Sequence, residues 1–172
     1  MTTTEARAAA LAGFGEARAR FERQLRAVPE DSLRYRRPGD DYALGGLVHH
    51  VAAVLEHYLG VLDAIVRSDF AETEAADRPG LFEEANARAK AGVTPAELTA
   101  SLREVERLHA GAVARLEAIG DDDYEREVPV TYRPGDDPYP TSAADVVGWL
   151  AGHYEEHVPH IEQLLASWRA AR

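Results

Sequence analysis

The stretch GWLAGHYEEHVPHIEQL, residues 148–164, decides how this chain is read. Leu150, Ile161 and Leu164 recur at helical rather than strand spacing, so the segment is an amphipathic helix. A helical residue advances about 100°, which sets His157 about 40° from His153 and His160 about 20° to its other side. All three lie on or beside the apolar stripe. An i,i+4 pair of imidazoles on a core-facing stripe is suitable geometry for two ligands of one divalent metal. Pro159 falls among these histidines. It removes one backbone hydrogen bond, that to the carbonyl of Glu155, and predicts a kink that reorients His157 and His160 or opens space for a substrate.

A second histidine segment, LVHHVAAVLEHYL (residues 47–59), lies about a hundred residues earlier. The helix around it, about 42–67, carries Leu44, Leu47, Val51, Val54, Tyr58, Val61 and Ile65 on one stripe. His50 falls at the edge of that stripe, His57 about 20° beyond it and two turns away, and His49 opposite. The arithmetic predicts an inward His50 and a solvated His49. A lone histidine at a core edge is usually just a hydrogen-bonded side chain. Several unpaired imidazoles buried together are costly unless something satisfies them. His50, His153 and His157 would form a three-imidazole set with an open fourth position, as in catalytic zinc sites. His57 and His160 are placed to line a pocket or to support the ligands. His109, between Val105 and Val113 on the third helix, reads as a satisfied core histidine.

Working outward, the first helix covers about 4–27, with Leu11, Phe14, Phe21 and Leu25 on its stripe and Pro29 and Asp31 beyond its end. The third opens with Thr94 as N-cap, Pro95 in the first turn and Glu97 closing a capping box. It continues through Leu98, Leu102, Val105, Ala112, Val113 and Leu116 to a C-cap at Gly120. The fourth, about 142–170, starts from Thr141 or Ser142 with Asp145 as reciprocal carboxylate. Between the second and third helices, Ser68–Val93 is too long for a turn and contains a short helix over Pro79–Ala91. It reads as a crossover along the bundle. Residues 125–142 read as an extended loop, in which Val128 and Val130 permit a brief strand but no partner strand is evident. The expected fold is all-α: a four-helix bundle with a long crossover between helices two and three, forming one domain over residues 1–172. The pentapeptide RPGDD occurs at 37–41 and 133–137, ahead of each histidine-rich helix. It reads as a turn that starts helices, with an aspartate capping helix two and the pocket rim nearby.

Composition narrows the chemistry. The chain has 172 residues, 45% hydrophobic and 28% charged, which is ordinary for a globular protein. No apolar run is long enough to cross a bilayer, and the N-terminus lacks a secretory pattern, so a cytoplasmic location is expected. Net charge is −11 without any block of Lys and Arg, which argues against nucleic acid as a partner. Cysteine is absent. A metal must therefore be held by His, Asp or Glu, and any sulfur chemistry needs an external thiol.

The combination of LVHHVAAVLEHYL, a long connection and GHYEEHVPHIEQL resembles the DinB-like superfamily of four-helix-bundle metalloproteins. That superfamily includes bacillithiol or mycothiol S-transferases and mycothiol-dependent maleylpyruvate isomerases. The resemblance covers nearly the whole chain and implies His50, His153 and His157 as ligands of zinc or nickel, in a homodimer. It also implies that the metal activates a low-molecular-weight thiol, mycothiol or bacillithiol, for attack on an electrophilic small molecule. In that reading Tyr58, Tyr154 and His160 line the pocket, and Arg133 binds a carboxylate of the thiol or substrate. Two other functions remain open at this point. One is a metal-dependent hydrolase using metal-bound hydroxide, with Glu155 or Glu156 as base. The other is a non-catalytic metal-binding bundle.

Overall fold

The computed structural model describes residues 2–172. It is mostly helical: α1 (Thr3–Arg26), a single 3-10 turn (Glu30–Ser32), α2 (Leu47–Arg67), α3 (Leu81–Ala91), α4 (Pro95–Ala118), the short α5 (Asp121–Tyr124) and α6 (Ala143–Ala170). The four long helices α1, α2, α4 and α6 form the bundle, with α1 against α6, α2 against α4, and α2 touching α6. The α3 crossover lies along α2.

Three capping boxes set where long helices begin. Thr2 accepts from the Glu5 amide, Thr94 from that of Glu97 and Ser142 from that of Asp145, while each acidic side chain accepts from the cap residue's own amide. Each box satisfies two otherwise orphaned backbone donors. Between Thr141 and Ser142 as starts for the last helix, the structure selects Ser142. At the end of α4 the cap is Ile119, and Gly120 instead precedes α5. The helix α6 runs from Ala143 to Ala170 with Pro159 inside it.

The start of α2 differs from expectation. The helix begins at Leu47 rather than near 42, and its N-cap is Gly46, with no side-chain cap. Upstream amides are committed elsewhere: Ala43 N–H donates to the Ala89 carbonyl, Leu44 N–H to Tyr35 and Gly45 N–H to Leu33. Those three bonds hold residues 43–45 against two other segments in a turn that precedes Leu47. The expected aspartate cap is therefore replaced by a different use of Asp40, described below.

Both RPGDD copies form the same turn. Asp40 N–H donates to the Arg37 carbonyl at 3.0 Å and Asp136 N–H to that of Arg133 at 3.1 Å. Gly39 and Gly135 carry φ of +83° and +90°. Proline followed by a glycine at positive φ, closed by an i to i+3 bond, is a type II turn.

Residues 125–142 are more ordered than a loop. Val128–Thr131 (β2) pairs antiparallel with Tyr139–Thr141 (β3) and parallel with Thr73–Glu74 (β1) from the crossover. β1 was not evident because it is only two residues long and lies more than fifty positions away, and β3 because it is three residues long with a proline at its centre. Val128 and Val130 are fully buried, so the small sheet seals one end of the core.

The wheel argument fails for His49, which is 8% exposed rather than solvated. A single stripe presumes one buried face, whereas α2 is covered by α3, α4 and α6 and buries Val48, His49, Ala53 and Leu55 as well.

The approach of Gly46 to the 89–93 segment is a constraint on the fold. A Cβ at Gly46 would overlap the Ala89 carbonyl carbon, oxygen and Cα, all of them backbone. Gly46→Ala is expected to cost about 1–3 kcal/mol by overpacking. Gly60→Ala, in the exposed face of α2 with open space around it, is expected to gain about 0.5–1 kcal/mol. Urea denaturation of the two variants checks both signs.

Candidate metal centre

Three imidazoles meet where α2 crosses α6. The ring centroids of His153 and His157 are 4.5 Å apart, one turn along α6, and His50 from α2 lies 5.0 Å from His153 and 5.2 Å from His157. Each ring offers one nitrogen such that all three lie within 4.8 Å of one another. His153 Nε2 and both ring nitrogens of His157 are buried without any hydrogen-bond partner among the described residues. Such orphaned polar atoms are costly unless a further group satisfies them.

The electrostatics keep these rings neutral. Burial pushes His153 down to about 4, and the neighbouring His50 reinforces the shift. Burial lowers His157 to about 3, with His153, His50 and His160 adding to it. His50 is lowered too, chiefly by burial, against the opposing charge of Glu156 and the side chain of Asn86. Neutral imidazoles that converge, each with one free nitrogen lone pair, are the state a divalent metal requires of its ligands. The donor set fits such an ion.

A cleft of about 810 Å³ opens beside His153, between α2, the start of α3, the β2–β3 hairpin and α6. His57, Tyr58 and Arg133 line it, as do Phe82, Tyr132 and Trp149. His57 Nδ1 is 2.7 Å from Asp77 Oδ1, a contact that holds the ring from the crossover side. The other two residues expected at the pocket lie elsewhere. Tyr154 is 1% exposed and packs in the core against Phe14, Phe21 and His109, where α6 faces α1 and α4. It follows His153 by one residue, so the helix turns it about 100° away. His160 stands on the far side of His157 from the cleft and bonds Asp40, with its Nε2 3.2 Å from each carboxylate oxygen.

Several residues at this centre carried no signal that separated them from ordinary loop residues. Tyr42 stacks on His50 with its hydroxyl 3.3 Å from Nδ1. Asp40 had the look of a helix cap. Burial alone would raise its carboxyl, but bonds from His160, the Tyr42 amide and Arg37 hold it below the usual carboxylate range. Asn86 leaves its Oδ1 buried without a donor among the described residues. Asp77 and Asn86 belong to the crossover, whose path over α2 no local pattern predicts.

The arrangement defines an all-α, histidine-bearing four-helix bundle with a cleft at its metal-competent end. The chain belongs to the DinB superfamily, whose family model matches residues 14–161. The solved structure of a mycothiol-dependent maleylpyruvate isomerase superposes with a TM-score of 0.68 at 15% identity, over 92% of this chain and 62% of the isomerase. This chain thus spans less than two thirds of that enzyme's length. YfiT from Bacillus subtilis, described as a probable metal-dependent hydrolase with an unusual four-helix bundle topology, gives a TM-score of 0.73 at 17% identity. That match covers 95% of this chain and 88% of YfiT. At such identities the likeness concerns the fold. No curated protein matches the chain significantly.

His109 supplies a pH test independent of the cluster. It is 6% exposed, lies 3.9 Å from the Phe14 ring, and is lowered to about 4 by burial and, less, by Arg18. Below the unfolded-chain value of about 6.5 the unfolded state takes up a proton that the folded state refuses. Stability contributed by this site is therefore lost as pH falls from about 6.5 towards 4. His109→Leu is expected to make that acid limb shallower by at most one proton, about 1.4 kcal/mol per pH unit, in urea titrations at stepped pH.

Proposed function

We propose that this protein is a metal-dependent enzyme of the thiol S-transferase type. The observation that carries the proposal is the convergence of one ring nitrogen each from His50, His153 and His157 beside an open cleft, with His153 Nε2 and both nitrogens of His157 buried without a hydrogen-bond partner among the described residues. In this reading the three histidines hold zinc or nickel. A 2+ ion held by neutral imidazoles keeps its charge and stabilises the deprotonated form of a thiol brought to it. The thiol is external, because the chain contains no cysteine. Mycothiol or bacillithiol is the class we assign, supported by the fold shared with the mycothiol-dependent isomerase.

The cleft supplies the remaining functions. Tyr58, Tyr132 and Trp149 cover an apolar substrate portion, and Arg133 pairs with a carboxylate of thiol or substrate. His57, with Nδ1 on the Asp77 carboxylate, leaves Nε2 to accept the thiol proton. The sulfur then bonds to an electrophilic carbon of the second substrate, whose leaving group departs with the bonding electron pair and takes the proton back from His57. The proposal includes a single domain, a homodimer and a cytoplasmic location. No described helix is long and apolar enough to cross a membrane.

One observation favours a second reading, a metal-dependent hydrolase. The charge of Glu156 acts on both His50 and Tyr42, whereas Glu155 is engaged with Arg20 at 2.9 Å. Of the two glutamates, Glu156 is thus the candidate base. Hydrolysis requires turnover without a thiol and its loss in Glu156→Gln.

Two measurements test the reading. Zinc at about 100 times its Kd should stabilise the chelator-treated protein by about 2.7 kcal/mol, raising Tm by roughly 5–10 °C. His153→Ala should abolish that rise. Mycothiol, bacillithiol or glutathione with a generic electrophile should give conjugate with the wild type and none with His153→Ala. Absence of conjugate with all three thiols would sink the transferase reading.

A further inference from the structure

The first RPGDD turn differs from the second in what surrounds it, although both have the same backbone. Asp136 is exposed, while the Asp40 side chain is only 6% exposed. Arg37 Nη2 donates to Asp40 Oδ2 at 3.0 Å, the Tyr42 amide donates to Oδ1 at 3.2 Å, and His160 Nε2 faces both oxygens. The bond from the Tyr42 amide is one that any turn aspartate can make, whereas the bonds to Arg37 and His160 are not needed by an exposed helix starter. The segment also reaches each histidine-bearing helix separately. Tyr42 stacks on His50 of α2 with ring centroids 4.7 Å apart and 29° between planes, and its hydroxyl meets Nδ1. Asp40 grips His160 of α6, whose ring lies 26° from parallel with that of His157, 5.8 Å between centroids.

We propose that the Arg37–Tyr42 segment is a positioning device for the histidine cluster, orienting His50 through the Tyr42 hydroxyl and His157 through the Asp40–His160 pair. A neutral imidazole has one protonated and one free nitrogen. When Nδ1–H of His50 donates to the Tyr42 oxygen, the lone pair needed for a ligand sits on Nε2, so the hydroxyl, which can accept as well as donate, steadies the ring in its ligating tautomer. On the other helix, His157 has no hydrogen bond from either nitrogen, so only packing fixes its ring. His160 provides that packing on one side, and Asp40 fixes His160. The two ties leave the same turn two residues apart, so the loop couples the orientation of one ligand from each helix.

This inference rests on the three-histidine metal reading, and its test separates the two. Calorimetric titration of metal-free protein with Co²⁺ compares the wild type with Tyr42→Phe, Asp40→Asn and His153→Ala. Tyr42→Phe keeps the stacked ring and removes only the hydroxyl. Each positioning variant is expected to weaken Kd by about 10–100-fold, with binding abolished in His153→Ala. Thermal unfolding of the metal-free Tyr42→Phe protein should stay within a few degrees of the wild type, and its Co²⁺ visible bands should shift. Wild-type Kd in both positioning variants, with His153→Ala inactive in binding, would overturn the inference and leave the metal reading intact. Wild-type-like binding by His153→Ala, or none by the wild type, would overturn the metal reading and the inference with it. A loss of metal-free stability matching the loss of affinity in both variants would make the loop architectural and also overturn it.

Discussion

Where α2 crosses α6, three imidazoles are pressed out of water without enough hydrogen-bond partners to replace it. Burial depresses all three, and their mutual proximity makes protonating His157 or His153 harder still. His153 Nε2 and both nitrogens of His157 are then left with no hydrogen-bond partner among the described residues. A core of aliphatic side chains at this crossing would be cheaper to fold. The rest of the structure works around that cost. The α1–α6 and α2–α4 pairs provide ordinary apolar burial through residues such as Phe14, Phe21, Leu102 and Leu116, all fully buried. The α2–α6 contact is where the polar rings concentrate.

The elements outside the bundle helices shape access to that crossing. The crossover helix α3 lies on α2 and, with the β2–β3 hairpin, walls the cleft beside His153. Asp77 in the crossover holds His57 at the cleft. On the opposite side, the turn at 37–42 closes over His50 and His160. One side is open and lined with aromatic rings, the other sealed with charge-assisted hydrogen bonds.

Most of the bundle was legible in the sequence because its signals are local. The capping boxes at Thr94 and Ser142 and the apolar repeats through Leu98–Leu116 and Leu150–Leu164 depend only on near neighbours. His50, His153 and His157 were brought together by helical arithmetic because each sits at the edge of a stripe facing the other helix. Several of the misreadings involve distant segments, while that of Tyr154 is local, because one residue after His153 the helix has already turned it into the core. His49 is buried by helices the wheel of α2 does not contain. The start of α2 is delayed by bonds to Ala89, Tyr35 and Leu33, and β2 finds its partner in the crossover. Asp40 looked like a cap because the residue it grips, His160, lies 120 positions away. The turn chemistry of RPGDD was readable, and its partner was not.

The central claim concerns three nitrogen ligands and one metal, and X-ray absorption at the zinc edge addresses it directly. Stoichiometrically zinc-loaded protein should show three imidazole nitrogens at about 2.0–2.1 Å, with outer-shell scattering from the rings. The same spectrum from His50→Ala should lose one imidazole. A wild-type spectrum dominated by oxygen ligands, or one unchanged in His50→Ala, would contradict the assignment of His50, His153 and His157 as the metal centre.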